Sequence, residues 1–206
     1  MELLLTLISG IAWTIVYIEL IRTGFKYKTY GMPLFALGLN LAWEMIYSFD
    51  ALSHGIGVQG TVNLVWMLLD IVILVTYFMY GRKHYIGDAK KYFIPWSILA
   101  LISCALIQFA FYFEFRGIAA AEYSAFAQNA AMSILFVVML MSRKDTDGQN
   151  LRIAIAKWVG TLAPTILMGL LQKFSIYILL MGIICCLFDM LYIFLLNKRK
   201  AEERAS

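Results

Sequence analysis

Long apolar stretches, separated by short polar breaks, run through this chain. Hydrophobic residues make up 62% of its 206 residues and charged residues only 15%. A soluble domain contains roughly half apolar and a quarter charged residues. This chain has too few polar residues to cover a surface that faces water, so we expect its outer surface to face lipid. Strands of a membrane β-barrel alternate apolar and polar residues, whereas these stretches are continuously apolar. The sequence therefore predicts an all-α membrane protein.

Seven of the stretches have the length of about 20 residues that a helix needs to cross a bilayer. They lie at about 3–21, 31–50, 61–80, 93–113, 119–142, 152–172 and 175–196. No linker or low-complexity segment divides them. We therefore expect residues 1–206 to form a single domain, a bundle of seven transmembrane helices.

The positive charges predict how this bundle is oriented. Of the 17 Lys and Arg residues, only Arg116 and Lys173 fall in breaks on one side of the expected bundle. Lys157, near the start of the sixth stretch, is assigned to the other, basic side with the rest. Because short loops rich in Lys and Arg stay in the cytoplasm, we expect the N-terminus outside and the C-terminus in the cytoplasm.

Acidic residues inside apolar stretches are the first candidates for function. Glu44, Asp70, Glu122 and Asp189 fall within expected spans. A charged side chain at the centre of a bilayer costs about 3 kcal/mol or more, so such residues are rare there and mark functional sites. The alternative is that they are protonated or paired acids that only lock helices together.

Polar and aromatic residues accompany these acids at the spacing of one helix face. Asn40, Glu44 and Tyr47 share a face of the second helix, and Trp66 and Asp70 share one on the third. We expect such stripes to face a common cavity, although an aromatic stripe alone more often reflects packing. The catalytic candidates are Glu44, Asp70 and Asp189. The candidates for substrate binding are Asn40, Trp43, Tyr47, Trp66, Asn129 and Tyr192.

Several classes of protein are excluded by missing motifs. The last span has no lysine that could hold retinal, and the sequence has no G-x-G-x-x-G and no P-loop. Both histidines lie in polar breaks, and no acid cluster of the DDxxD kind could hold magnesium ions. The three cysteines lie in apolar stretches without a metal-type spacing. We therefore expect no metal and no other cofactor.

The chemistry that fits is acid catalysis in an apolar, aromatic site. A carboxylic acid that stays neutral in apolar surroundings can act as a general acid. Protonation of an alkene or an epoxide generates a carbocation, which the faces of Trp and Tyr rings stabilise. A long hydrocarbon substrate would partition into such a site from the membrane.

Three short motifs resemble those of one enzyme family. Residues 40–44 (NLAWE), 66–70 (WMLLD) and 188–192 (FDMLY) resemble the NLxWE, WxxLD and FDxLY segments of the integral membrane terpene cyclases. These are the PaxB-like cyclases of fungal indole-diterpene and meroterpenoid pathways, with bacterial relatives. The resemblance implies cyclisation of a prenyl chain without a metal, begun by protonation of a terminal alkene or an epoxide. It also implies that Glu44 and Asp189 are the two critical acids and that Asp70 is the third.

A proton-coupled transporter of seven helices is the competing interpretation, since intramembrane acids also form proton relays. Residues 69–71 (LDI) and 188–190 (FDM) resemble each other weakly, as an internal repeat would. Against this interpretation, none of the three prolines is followed by the Gln of seven-helix sugar carriers. The expected partners are a lipophilic prenylated small molecule and the lipid bilayer, without nucleic acid. The expected location is a bacterial plasma membrane, or the endoplasmic reticulum if the source is eukaryotic.

Overall fold

A computed structural model of the chain describes residues 1–115 and 117–205, and the secondary structure in these ranges is helical. Arg116, used above for the expected orientation, lies outside the described residues, as does Ser206. The seven long helices of the described ranges are α1 (Glu2–Lys26), α2 (Leu34–His54), α3 (Gly57–Tyr80), α4 (Phe93–Glu114), α5 (Ile118–Ser142), α6 (Leu151–Ile166) and α7 (Ile176–Ala205). Short 3₁₀ segments, Gly81–His84 and Gly87–Tyr92, join α3 to α4.

The structure confirms an all-helical chain, and within the described ranges six of the seven long helices are long and apolar enough to cross a membrane. The exception is α2. Asn40, Glu44 and Asp50 lie on this helix and lower its mean hydropathy. Many of its side chains are nevertheless buried, because α3, α4 and α5 all pack against it. The helix that looks least like a membrane span therefore lies well inside the bundle.

The ends of the helices follow from particular residues. The Asn150 side chain accepts a hydrogen bond of 2.9 Å from the backbone N–H of Ile153 and so caps the start of α6. Gly117, with φ of 66°, occupies the left-handed region just before α5. Pro164 lies inside α6, and the last turn of that segment, Leu167–Leu171, is a π-helix. Proline removes one backbone donor from a helix, which fits this change in hydrogen-bonding pattern.

Six of the helices close a ring. Each helix contacts the next in the order α1, α6, α7, α5, α2, α3, and α3 contacts α1 to close the ring. Helix α4 packs on the outside of this ring against α2 and α5. The seam between α6 and α7 is close at Gly182, where an added Cβ would collide with the side chain of Thr165.

A buried apolar cluster fills one end of the ring. It lies where α1 and α3 end and where α2 and α6 begin. Its largest members include Leu20, Phe136, Tyr192 and Leu196, and side chains from α1, α2, α3, α5, α6 and α7 contribute to it. The buried polar side chains of the ring adjoin this cluster along the same helices.

Candidate active site

Asn40 lies at the centre of a buried network of side chains. Its Nδ2 donates hydrogen bonds of 2.7 Å to the Tyr17 hydroxyl and 2.7 Å to Oδ2 of Asp70. Its Oδ1 accepts a bond of 3.1 Å from Nε2 of Gln128. Gln108 of α4 donates in turn to Oε1 of Gln128 at 2.7 Å. We call Tyr17, Asn40, Asp70, Gln108 and Gln128 the amide network. It takes one residue from each of the five helices α1, α2, α3, α4 and α5, and it fixes the orientation of the Asn40 amide group.

Glu44 lies one helical turn beyond Asn40 and borders this network. Its side chain is buried, and Oε2 has no hydrogen-bond partner among the described residues. The Glu44 carboxyl group lies within electrostatic range of Asp70. Asp70 is also buried, and its Oδ1 has no partner in the same part of the chain. Neither acid forms an ion pair within residues 1–115 and 117–205.

Asp189 has a different environment, because it forms a buried ion pair. Nζ of Lys157 lies 2.6 Å from Oδ1 of Asp189, and both side chains are 1% exposed. The same Nζ donates a hydrogen bond of 2.6 Å to the Ser133 hydroxyl and lies 5.7 Å from the centre of the Phe136 ring. Lys157, which was counted above with the basic side, is therefore buried inside the bundle, and its charge does not belong to that surface. It lies almost two turns inside α6, where a cation needs a partner of opposite charge.

Helix α5 contacts both groups of acids through different residues. Gln128 contacts Asn40 of α2, and Ser133 contacts Lys157 of α6. These two residues are five positions apart, so they lie about 140° apart around α5 and differ by about 7.5 Å along its axis. The group that contains Asp70 and the pair that contains Asp189 are therefore met by different parts of the α5 surface.

The tryptophans expected to bind substrate take up two positions. The Trp66 ring packs against Tyr17, with centroids 5.8 Å apart, and its Nε1 is 3.4 Å from the Thr14 hydroxyl. Trp66 therefore borders the amide network directly. Trp43 donates from Nε1 to the backbone oxygen of Ala121 at 3.1 Å and contacts the Tyr47 ring, with centroids 4.7 Å apart. This second pair lies at the α2–α5 seam.

The last two expected binding residues are not in the amide network. Tyr192 is fully buried in the apolar cluster, where it contacts Phe136 and donates a hydrogen bond of 3.0 Å to Oε1 of Gln149. Asn129 is half-buried, and its Oδ1 has no partner in the described ranges. Its backbone oxygen accepts from the Ser133 hydroxyl, which places Asn129 on the face of α5 that meets the ion pair.

No group of three His, Cys, Asp or Glu residues is arranged as a possible metal site in the part of the chain that the structure describes. The three cysteines are free thiols, with Cys104 and Cys185 buried and Cys186 half-buried. The side chains that could contact a bound molecule are thus carboxyl, amide, hydroxyl and aromatic groups.

The family model described as Pyr4-like transmembrane terpene cyclases matches residues 1–201. The chain belongs to this family. It is consequently an integral, multi-pass membrane protein, as the apolar helices also indicate. The family named from the three motifs is thereby confirmed.

Individual relatives are fungal proteins. The chain is 33% identical over 162 residues to the Pyr4-family terpene cyclase mfmH of Annulohypoxylon moriforme, covering 76% of this chain and 65% of mfmH. It is 25% identical over 211 residues to the terpene cyclase pyr4 of Aspergillus fumigatus, covering 97% and 87%. It is 26% identical over 162 residues to the asnovolin H synthase nvfL of Aspergillus novofumigatus, covering 76% and 65%. The chain thus spans about two thirds of the length of mfmH and nvfL. No solved structure matches it.

Proposed function

We propose that this protein is a membrane-embedded terpene cyclase that starts cyclisation by protonating a prenyl chain, without a metal ion. The observation that supports this mechanism is the Glu44 carboxyl group, which is buried one helical turn from Asn40 and forms no ion pair within the described residues. A buried carboxylate without a cation is strongly disfavoured, so the group takes a proton instead. Such a neutral acid in an apolar site can donate that proton to a substrate.

The proposed reaction is an isomerisation. Glu44 donates its proton to the epoxide oxygen or to the terminal alkene carbon of the substrate. With an epoxide, the O–H bond forms as the C–O bond breaks, and a carbocation remains on carbon. Successive alkenes of the chain attack this cation and close the rings. Loss of a proton from carbon to a carboxylate ends the reaction, so the product has the composition of the substrate.

Aromatic rings near the amide network have the position to stabilise the cation. The Trp66 ring packs in a tilted arrangement against Tyr17, whose hydroxyl accepts a hydrogen bond from Asn40. The negative face of such a ring attracts a cation by about 0.5–2 kcal/mol, and more where water is excluded. We assign Asn40, Trp43, Tyr47 and Trp66 to substrate binding near Glu44.

We also propose that all seven helices span the membrane, with the N-terminus outside and the C-terminus in the cytoplasm. The support is the asymmetry of Lys and Arg between alternate loops. The burial of Lys157 does not alter this asymmetry, because the other basic residues remain on the same side. The substrate would enter from the lipid, and its prenyl part would lie among the apolar helices.

The test is the variant Glu44→Gln, which keeps the size of the side chain but cannot supply the proton. Membranes that contain the wild type are incubated with prenylated aromatic compounds bearing a terminal alkene or a terminal epoxide, and products are analysed by mass spectrometry. We expect a cyclised isomer from the wild type and none from Glu44→Gln.

Glu122→Gln is the matched control, since Glu122 is a half-buried acid of α5 that forms no ion pair in the described ranges. It should cyclise normally. A Glu44→Gln variant with the wild-type rate would refute the role of Glu44. If wild-type membranes never form a cyclised product but move the compound or protons across the bilayer, the transporter interpretation is correct instead.

A further inference from the structure

The buried pair of Lys157 and Asp189 distinguishes one acid of the site from the others. Asp189 has a cation at 2.6 Å, whereas Glu44 and Asp70 face none among the described residues. When the surroundings of two titratable groups differ in this way, the two groups take different roles in acid–base catalysis. The distance between Nζ of Lys157 and Oδ1 of Asp189 is as short as in a strong charge-assisted hydrogen bond.

We propose that Lys157 is a positioning residue that keeps Asp189 in its ionised form, so that Asp189 is the terminal base of the cyclisation and never the initiating acid. This rests on the proposed function and deepens it. Glu44 gives up a proton at the start, and the carboxylate of Asp189 takes one from carbon at the end. The C–H electrons become the new double bond, and proton return from Asp189 to Glu44 restores the site.

The contacts of Lys157 leave one oxygen of Asp189 for this step. Nζ of Lys157 binds Oδ1 of Asp189 and the Ser133 hydroxyl. Oδ2 of Asp189 is buried and has no partner among the residues described. A lysine that binds only Oδ1 therefore supplies the charge without occupying Oδ2.

Among the described residues, Lys157 is the cation that contacts Asp189 directly, and Arg143 lies further away, within electrostatic range of Tyr192. The titratable neighbours of Asp189 on α7 are the Cys185 thiol and the Tyr192 hydroxyl, which are ordinarily neutral. From α5 the pair is met by Ser133, which does not titrate. Lys157 is thus the one cation in hydrogen-bond contact with Asp189 in the described part of the chain.

The first experiment reads the charge of Asp189 directly and needs no substrate. Infrared difference spectra are recorded for the purified wild type, Lys157→Met, Asp189→Asn and the double variant. We expect Lys157→Met to gain the carbonyl absorption of a protonated carboxyl group, which the double variant lacks. The wild-type spectrum should contain no protonated-carboxyl absorption that disappears in the spectrum of Asp189→Asn. A band of protonated Asp189 in the wild type would overturn the proposal. The wild type can also be compared with the double variant, which has no unpaired charge, so the test stands even if Lys157→Met or Asp189→Asn fails to fold.

The second experiment reads the products. Lys157→Met and Asp189→Asn should consume the prenyl substrate but release water-quenched alcohols or alkene isomers in place of the wild-type product. Glu44→Gln should consume no substrate. Glu122→Gln, the control used above, should retain the wild-type product. An unchanged product from Lys157→Met would make the pair purely structural. Loss of all substrate consumption in folded Asp189→Asn would make Asp189 the initiating acid. A wild type that cyclises nothing refutes the proposed function, but it leaves the infrared result intact.

Discussion

The amide network predicts a specific loss of stability when Asn40 is replaced by Leu. The substitution keeps nearly the same volume but removes the three hydrogen bonds that Asn40 makes with Tyr17, Asp70 and Gln128. Hydrogen bonds between membrane helices contribute about 0.6 kcal/mol each on average, and intramolecular bonds generally about 1 kcal/mol. Asp70 and Gln128 are also left with buried unpaired atoms, which adds to the cost. We expect Asn40→Leu to lower the free energy of unfolding by about 2–4 kcal/mol.

The measurement is unfolding of the purified protein in mixed micelles by titration with a denaturing detergent. Asn129→Leu is the matched control, because Asn129 is an intramembrane asparagine whose Oδ1 is buried without a partner in the described ranges. Its replacement should change the free energy of unfolding by less than about 1 kcal/mol, because no bond to Oδ1 is lost. In the double variant Asn40→Leu/Gln128→Leu the two losses should be less than additive, since the two residues share one bond. Equal stabilities of Asn40→Leu and Asn129→Leu would refute the network as a source of stability.

Three further predictions concern the chemistry and the orientation. Replacing Trp66 by Leu should slow cyclisation about tenfold or release early-terminated products, because a cation–π contact is worth about 1–2 kcal/mol; an unchanged rate and product profile would assign Trp66 to packing alone. Activity in membranes should persist in excess chelator, and loss that magnesium restores would favour ionisation of a diphosphate. Reporter fusions at Gly57 and at Ser206 should report opposite sides of the membrane, whereas two cytoplasmic signals would contradict the seven-span orientation.

The helices themselves could be predicted from the sequence, because continuous apolar stretches of membrane length allow few alternatives. Stripes at helical spacing also placed Asn40 and Asp70 correctly in a shared group of polar residues. The structure adds Tyr17, Gln108 and Gln128 to that group. A polar residue within an apolar stretch was the available signal for all three. The partners of these residues depend on which helices are neighbours, and spacing along one helix does not determine that.

Lys157 shows a second reason why sequence was insufficient. Counted from the start of the sixth apolar stretch, it lies close enough to the basic side for its charge to reach water. In the structure its side chain points inward to Asp189. The direction of a side chain depends on the rotation of its helix, which the neighbouring helices set. Tyr192 illustrates the same point, since it follows Asp189 by less than one turn and lies in the apolar cluster.

The pairing of α1 with α6 links the order of synthesis to assembly of the ring. The Ser9 hydroxyl donates to the backbone oxygen of Gly160, across 151 residues of sequence. The ring can therefore close only after α6 and α7 have been made. Glu44 and Asp70 precede this step in the chain, and Lys157 precedes Asp189. A chain that stops short of α6 lacks both the partner of α1 and the Lys157–Asp189 pair. The surface of α1 that α6 covers would then have no partner helix.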